Sequence, residues 1–161
     1  MRKGDVALVG VLTALGVALM IENITAMDPA VRIDSRSWLM IPLFAAATLP
    51  ILWRRRNMLA VTLVSLVAMG AHVLAFGWEV RCGAGLPLAF ALAYGAGRLL
   101  PRWWQSAAGL VGALAMQALV LVQDSAAGLQ ILPVTALIGV AAWGVGVWLR
   151  LRVASPVAAH V

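Results

Sequence analysis

The chain has 161 residues, 63% of them hydrophobic and only 11% charged, with a mean hydropathy of +0.98. That leaves too little polar side chain to clothe a water-soluble globule, so the composition excludes a soluble domain and implies an all-α integral membrane protein. The net charge of +6 does not point to nucleic acid, because the basic residues stand in ones to threes beside apolar runs and form no single basic face.

Met1 to Asp5 precede a first apolar run over residues 6–21. A basic start followed by apolar residues also describes a signal peptide, but this run is long for one and no small-x-small cleavage site follows, so a retained first helix is expected. Asn23-Ile24-Thr25 matches a glycosylation sequon and lies too close to the membrane to carry weight. A second span covers 38–53, and Arg54, Arg55 and Arg56 separate it from a third over 58–78. The fourth covers 82–97 and ends at Arg98-Leu99-Leu100-Pro101-Arg102; the fifth covers 103–122 and the sixth 131–149. Arg150 and Arg152 follow, then a short tail over 153–161. Each run approaches or meets the roughly 20 residues needed to cross hydrocarbon.

Nine of the twelve basic residues fall in four clusters at every second boundary: Arg2 with Lys3, Arg54 to Arg56, Arg98 with Arg102, and Arg150 with Arg152. Lys and Arg in short loops mark the cytoplasmic face. A six-transmembrane-helix bundle with N and C termini cytoplasmic follows, with the arginines facing lipid headgroups. Five of the six acidic residues lie in or beside the three outer segments, 22–37, 79–81 and 123–130. Trp38, Trp53, Trp78, Trp103, Trp104 and Trp148 fall at predicted helix ends, where indole rings favour the headgroup level, and Trp143 sits deeper. Small residues at four-residue spacing, Gly10-Ala14-Ala18, Ala89-Ala93-Gly97 and Gly109-Ala113, predict close helix packing. Pro42, Pro50, Pro87 and Pro133 predict kinks or helix ends.

No nucleotide loop, metal cluster or nucleophile-and-base set is visible, so no catalysis, metal or cofactor is expected from this chain. Cys82 stands alone and is read as a small apolar residue near a helix end, with an intermolecular bridge as the sharper alternative. Ionisable groups inside a membrane are costly and default to functional candidates. At about 1.5 Å of rise per residue, His72 and Gln117 lie roughly 20 Å from the cytoplasmic boundary. Glu22, Glu79, Arg81 and Asp124 come just beyond them, which predicts a polar vestibule open to the outside. His72 is its sharpest element, able to titrate in the physiological range if Glu22 or Glu79 approaches it. The plainer reading is a neutral histidine sharing one interhelical hydrogen bond, with Gln117 or a backbone carbonyl. Tyr94 is read as an interfacial anchor, and Thr13, Thr48, Thr62, Ser65 and Thr135 as hydroxyls satisfied on their own helices.

Leu49-Pro50-Ile51-Leu52-Trp53-Arg54-Arg55-Arg56, the apolar helix from Met58, and Pro87 to Arg98 ending in Ala-Tyr-Gly-Ala-Gly-Arg resemble the N-terminal multi-span membrane domain of actinobacterial sensor histidine kinases. The resemblance covers roughly residues 5 to 152. Asn57-Met58 stands where family members often have a proline soon after the arginines. The resemblance implies a sensory or signal-coupling module of a bacterial plasma membrane, whose kinase core would lie beyond residue 161 or on a partner. Phosphotransfer carries over to no residue here, His160 included, because no acidic residue follows it. A small transporter or channel subunit and a structural membrane partner protein are the alternatives. Candidate partners are the lipid bilayer, a second copy in a homodimer or another membrane protein.

Overall fold

The computed structural model describes residues 3–25 and 32–154. Arg2, Asp28, His160 and the tail from residue 155 onward lie outside the described residues. The described residues form six α-helices: α1 Lys3–Thr25, α2 Met40–Thr48, α3 Met58–Phe76, α4 Cys82–Leu99, α5 Trp103–Leu121 and α6 Leu132–Ala154. Short 3-10 segments, Leu49–Trp53 and Leu129–Ile131, follow α2 and precede α6.

Local chemistry sets several of these bounds. Pro50 has no N–H to donate and its ring crowds the preceding turn, so the second helix, expected as one run over 38–53, tightens into the 3-10 segment at Leu49. The Asn57 side chain accepts from the Ala60 backbone N–H at 3.0 Å and starts α3. Gly77, at φ +68°, ends α3 with its N–H on the Val73 carbonyl, two residues short of the expected third span. Pro42 and Pro133 sit in first turns, where a missing donor is harmless, whereas Pro87 lies inside α4.

Four helical segments are long and apolar enough to cross a membrane: α1, α3, α5 and Leu129–Val153. This is the build of a membrane protein. The side chains they leave exposed include Leu63, Val64, Val67, Leu74, Val111, Leu137 and Ile138, an outward apolar surface suited to lipid and hostile to water. Met40–Trp53 is a shorter apolar helix, reaching about 24 Å at the rise of its two helical forms. Helix α4 sits at the centre, packed against α1, α3, α5 and α6, and only its Gly83 is exposed. A helix sheathed by other helices needs no continuous apolar surface of its own, which is why α4 tolerates so many glycines and alanines.

Two of the three small-residue stripes are packing faces. A Cβ on Gly97 would lie 2.2 Å from the Trp143 carbonyl oxygen, and one on Gly146 would lie 2.4 Å from the Tyr94 carbonyl, so α4 and α6 touch backbone to backbone. Gly109 likewise meets Ala96. The Gly10-Ala14-Ala18 stripe differs from expectation: all three are exposed, and α1 packs through Asp5, Val9, Leu12, Gly16, Met20 and Asn23 instead. Gly16 is the position that matters, because the Phe44 ring of α2 fills the space a side chain would need. Trp143, deep in α6, donates from Nε1 to the Ser106 hydroxyl at 2.8 Å, and Ser106 donates to the Ala96 carbonyl.

Asp5 of α1 meets Arg54 and Arg55, Arg150 bonds the Leu100 carbonyl, and Val153 lies near Arg98. Arg54, Arg55, Arg98 and Arg150 therefore gather at one end of the bundle, with the start of α1 and the end of α6.

Candidate functional site

The opposite end is closed by three connecting segments knitted together through backbone. Glu79 donates its N–H to the Gln123 carbonyl at 3.3 Å and accepts from the Ser125 N–H at 3.1 Å, making an isolated parallel bridge with Asp124. The Asn23 side chain clamps Val80, donating to its carbonyl at 2.8 Å and accepting from its N–H at 3.2 Å. Asp34 pairs with Trp78 through the backbone at 2.8 Å and accepts from the Trp78 N–H at 3.2 Å. Its carboxyl is held below the ordinary aspartate range by hydrogen bonds from Arg32 and from Trp78.

Asp124 is the hub of this plug. Its Oδ2 accepts from the N–H groups of Arg81 and Cys82 at 2.7 and 2.6 Å, and its Oδ1 from those of Ala126 and Ala127 at 2.9 and 2.8 Å. Arg81 is the N-cap of α4 and has no side-chain cap of its own. A carboxylate from another loop thus satisfies orphan donors at the positive end of the helix dipole.

Beneath the plug lies a sealed ionic cluster. His72, Glu79 and Arg81 are each 0% exposed. Glu79 Oε1 lies 2.7 Å from Arg81 Nε and 3.0 Å from His72 Nδ1. Arg81 Nε also directs its N–H at His72 Nδ1, 3.4 Å away. Nη1 donates to the Gln123 carbonyl at 3.0 Å and Nη2 to the Gly77 carbonyl. Burial pushes the Arg81 guanidinium below its usual range, opposed by the charges of Glu79 and Asp124. Arginine nonetheless stays protonated in proteins. The imidazole is held edge-on between Phe44 and Phe76, with ring centroids 5.7 and 4.9 Å away.

His72 Nδ1 therefore faces one donor and one acceptor. Unprotonated, it accepts from Arg81; protonated, it donates to Glu79. No protein-family model, curated relative or solved structure matches the chain.

Several buried polar atoms have no partner among the described residues: His72 Nε2, Glu79 Oε2, the Ser65 hydroxyl and both amide atoms of Gln117. Each such group is costly in a low-dielectric interior. Ser65 was expected to bond its own helix and does not. Gln117 was expected as a partner for His72; its amide instead lies against Gly139 of α6, where a Cβ would sit 2.4 Å from Nε2. The expected open vestibule is also corrected: Asp124 is 2% exposed and His72, Glu79, Arg81 and Gln117 are fully buried. Glu22 stays outside the cluster, exposed on α1, while its neighbour Asn23 turns inward.

At the arginine end, Asp5 is engaged by Arg54 through Nε at 2.9 Å and Nη2 at 2.6 Å, and by Arg55 through Nε at 2.7 Å. Arg152 lies over the Trp148 ring at 3.9 Å. Arg56 and Arg102 are exposed. Thr13 and Thr48, expected to satisfy their hydroxyls on their own helices, share a hydrogen bond at 2.8 Å between α1 and α2, and Thr48 also bonds the Ala45 carbonyl. Cys82 is half-buried. Among the described residues no group of three His, Cys, Asp or Glu side chains could hold a metal ion.

Proposed function

We propose that the chain is a non-catalytic sensory or signal-coupling module, a six-span bundle of a bacterial plasma membrane with both termini cytoplasmic, in which protonation of His72 selects between two packings of the bundle. The observation that carries this reading is the position of His72 Nδ1 between Glu79 Oε1 and Arg81 Nε. A stimulus moves a conformational equilibrium only through differential affinity for its states, and a proton here exchanges one charged partner for another. Gathering of the arginine clusters at one end supports the topology.

Coupling would run along two rigid elements. Helix α3 carries His72 at one end and the turn after Arg54 to Arg56 at the other; α4 carries Arg81 at one end and Arg98 at the other. The backbone contact of α4 with α6 would then pass a tilt to the last turn of α6. The resemblance to kinase membrane domains gives such a movement its readout, a core on the same polypeptide or on a partner.

The test is a spin-label distance between the ends of α4 and α6, measured from pH 5 to 8 in the full chain reconstituted in bilayers. A pH-dependent distance that becomes flat in His72→Gln is expected. An identical response in wild type and H72Q would remove the histidine from the mechanism, and proton-coupled solute uptake by vesicles would replace this reading with a transporter.

A further inference from the structure

We propose that the arginine-clustered end of the bundle contains a binding site for a phosphate-bearing anion, in the cavity of about 510 Å³ lined by Arg54, Arg55, Tyr94, Arg98, Leu99 and Val153. This volume falls within the range of small-ligand sites. Its polar wall is three guanidinium groups and a phenol. Among the described residues only Asp5 answers them with negative charge, and it is spent on Arg54 and Arg55. The side chain of Arg98 has neither a hydrogen bond nor an ion pair with any described residue.

The remaining arginines at this end are used differently. Arg150 bonds a carbonyl, Arg152 stacks on Trp148, and Arg56 and Arg102 are exposed. Arg98 is half-buried at the cavity wall with its donors unspent among the described residues. A planar guanidinium fork matches two phosphate oxygens, and Tyr94 adds an O–H donor. Leu99 and Val153 supply an apolar flank, which suits a lipid glycerol or acyl start as well as bare solvent exclusion. The three linings come from the turn after α2, the end of α4 and the end of α6. A bound anion would therefore tie together the helix ends that the outer cluster is positioned to move, independently of whether His72 titrates.

Calorimetric titration of the detergent-solubilised full chain tests this with two anionic probes, short-chain phosphatidylglycerol and inorganic phosphate, and short-chain phosphatidylcholine as the zwitterionic control. Expected is saturable binding of an anionic probe that weakens about ten-fold in Arg98→Gln, the loss of one charge-assisted pair. It should be unchanged in Arg102→Gln. Binding of phosphatidylglycerol alone names a lipid headgroup as the source; binding of inorganic phosphate names a soluble one. No saturable binding of either, equal binding of phosphatidylcholine, or equal weakening in R98Q and R102Q would overturn the site. If R98Q does not fold, Arg98→Lys keeps the charge and loses the fork, and unaltered affinity in R98K overturns it equally.

Discussion

Asp124 caps a helix that begins 42 residues before it: its Oδ2 accepts the Cys82 N–H at 2.6 Å, the first residue of α4. The same carboxylate holds three further N–H groups, so its loss strands four donors at once. Hydrogen bonds to a charged acceptor are worth about 1.5–3 kcal/mol each and are not additive. Asp124→Ala is expected to cost about 3–5 kcal/mol, as breaking a buried charged set does, and Asp124→Asn less, since one acceptor oxygen survives. Thermal unfolding in detergent checks the order, with wild type most stable and D124A least.

Glu79 and Arg81 form a buried pair, and such pairs are worth less than their breakage costs. Removing one partner, as in Arg81→Met, leaves Glu79 uncompensated beside Asp124 and is expected to destabilise by about 3–5 kcal/mol. The double variant E79Q/R81M should recover part of that loss. A double-mutant cycle on thermal stability reads the coupling; strictly additive losses would mean the two side chains act separately.

Asp34 provides the acid-sensitive latch. Its folded carboxyl is depressed by Arg32 and the Trp78 N–H, so its contribution is present above the ordinary aspartate pKa of about 3.9 and is lost as pH falls through the lower folded value. The segment over Trp78 should loosen only below about pH 4. In a variant whose other six tryptophans are replaced by phenylalanine, the Arg32 guanidinium, 5.2 Å from the Trp78 ring, makes indole fluorescence a local reporter. Asp34→Asn should abolish the acid transition while leaving the signal above pH 5 loosened throughout.

Helix positions and the ionic site were legible because both depend on local rules: apolar run length, arginine placement, and the cost of ionisable groups next to hydrocarbon. His72, Glu79, Arg81 and Asp124 were all marked by that cost. What escaped the sequence was set by register between distant elements. Asn23 reads as a sequon residue until α1 is placed against the Val80 backbone. Ser65 looks like any hydroxyl able to bond its own helix, and its stranded oxygen follows only from packing. The Gly10 stripe has the same spacing as the Ala89 stripe, yet which face of a helix turns inward is decided by its neighbours. The break at Leu49, by contrast, was foreshadowed by Pro50.

Gly97 and Gly10 separate those two cases experimentally. A methyl on Gly97 would enter the Trp143 backbone, whereas nothing lies within 4 Å of one on Gly10. Gly97→Ala is expected to cost about 1–3 kcal/mol by overpacking, because backbone cannot swing aside as a flexible side chain can. Gly10→Ala should be neutral or slightly stabilising through helix propensity. Comparing melting temperatures of the two variants checks this, and equal shifts would contradict the packing of α4 on α6.

Asp5 restrains the same arginines that line the anion cavity, so its removal has two opposite effects. Asp5→Asn deprives Arg54 and Arg55 of their carboxylate; the Arg54 side chain is 13% exposed and Arg55 42%. Solvent reaches Arg55 readily and screens its loss, while Arg54 keeps most of the penalty. The net cost is expected at about 1–3 kcal/mol, below that of a fully buried break. At the same time the cavity gains positive charge and two freed guanidinium forks. Phosphate or phosphatidylglycerol should bind D5N more tightly than wild type, and added anion should restore part of the lost stability by mass action. Ligand-dependent melting of D5N measures both effects in one titration. Weaker anion binding in D5N would mean that Asp5 instead holds Arg54 and Arg55 in the geometry the ligand requires.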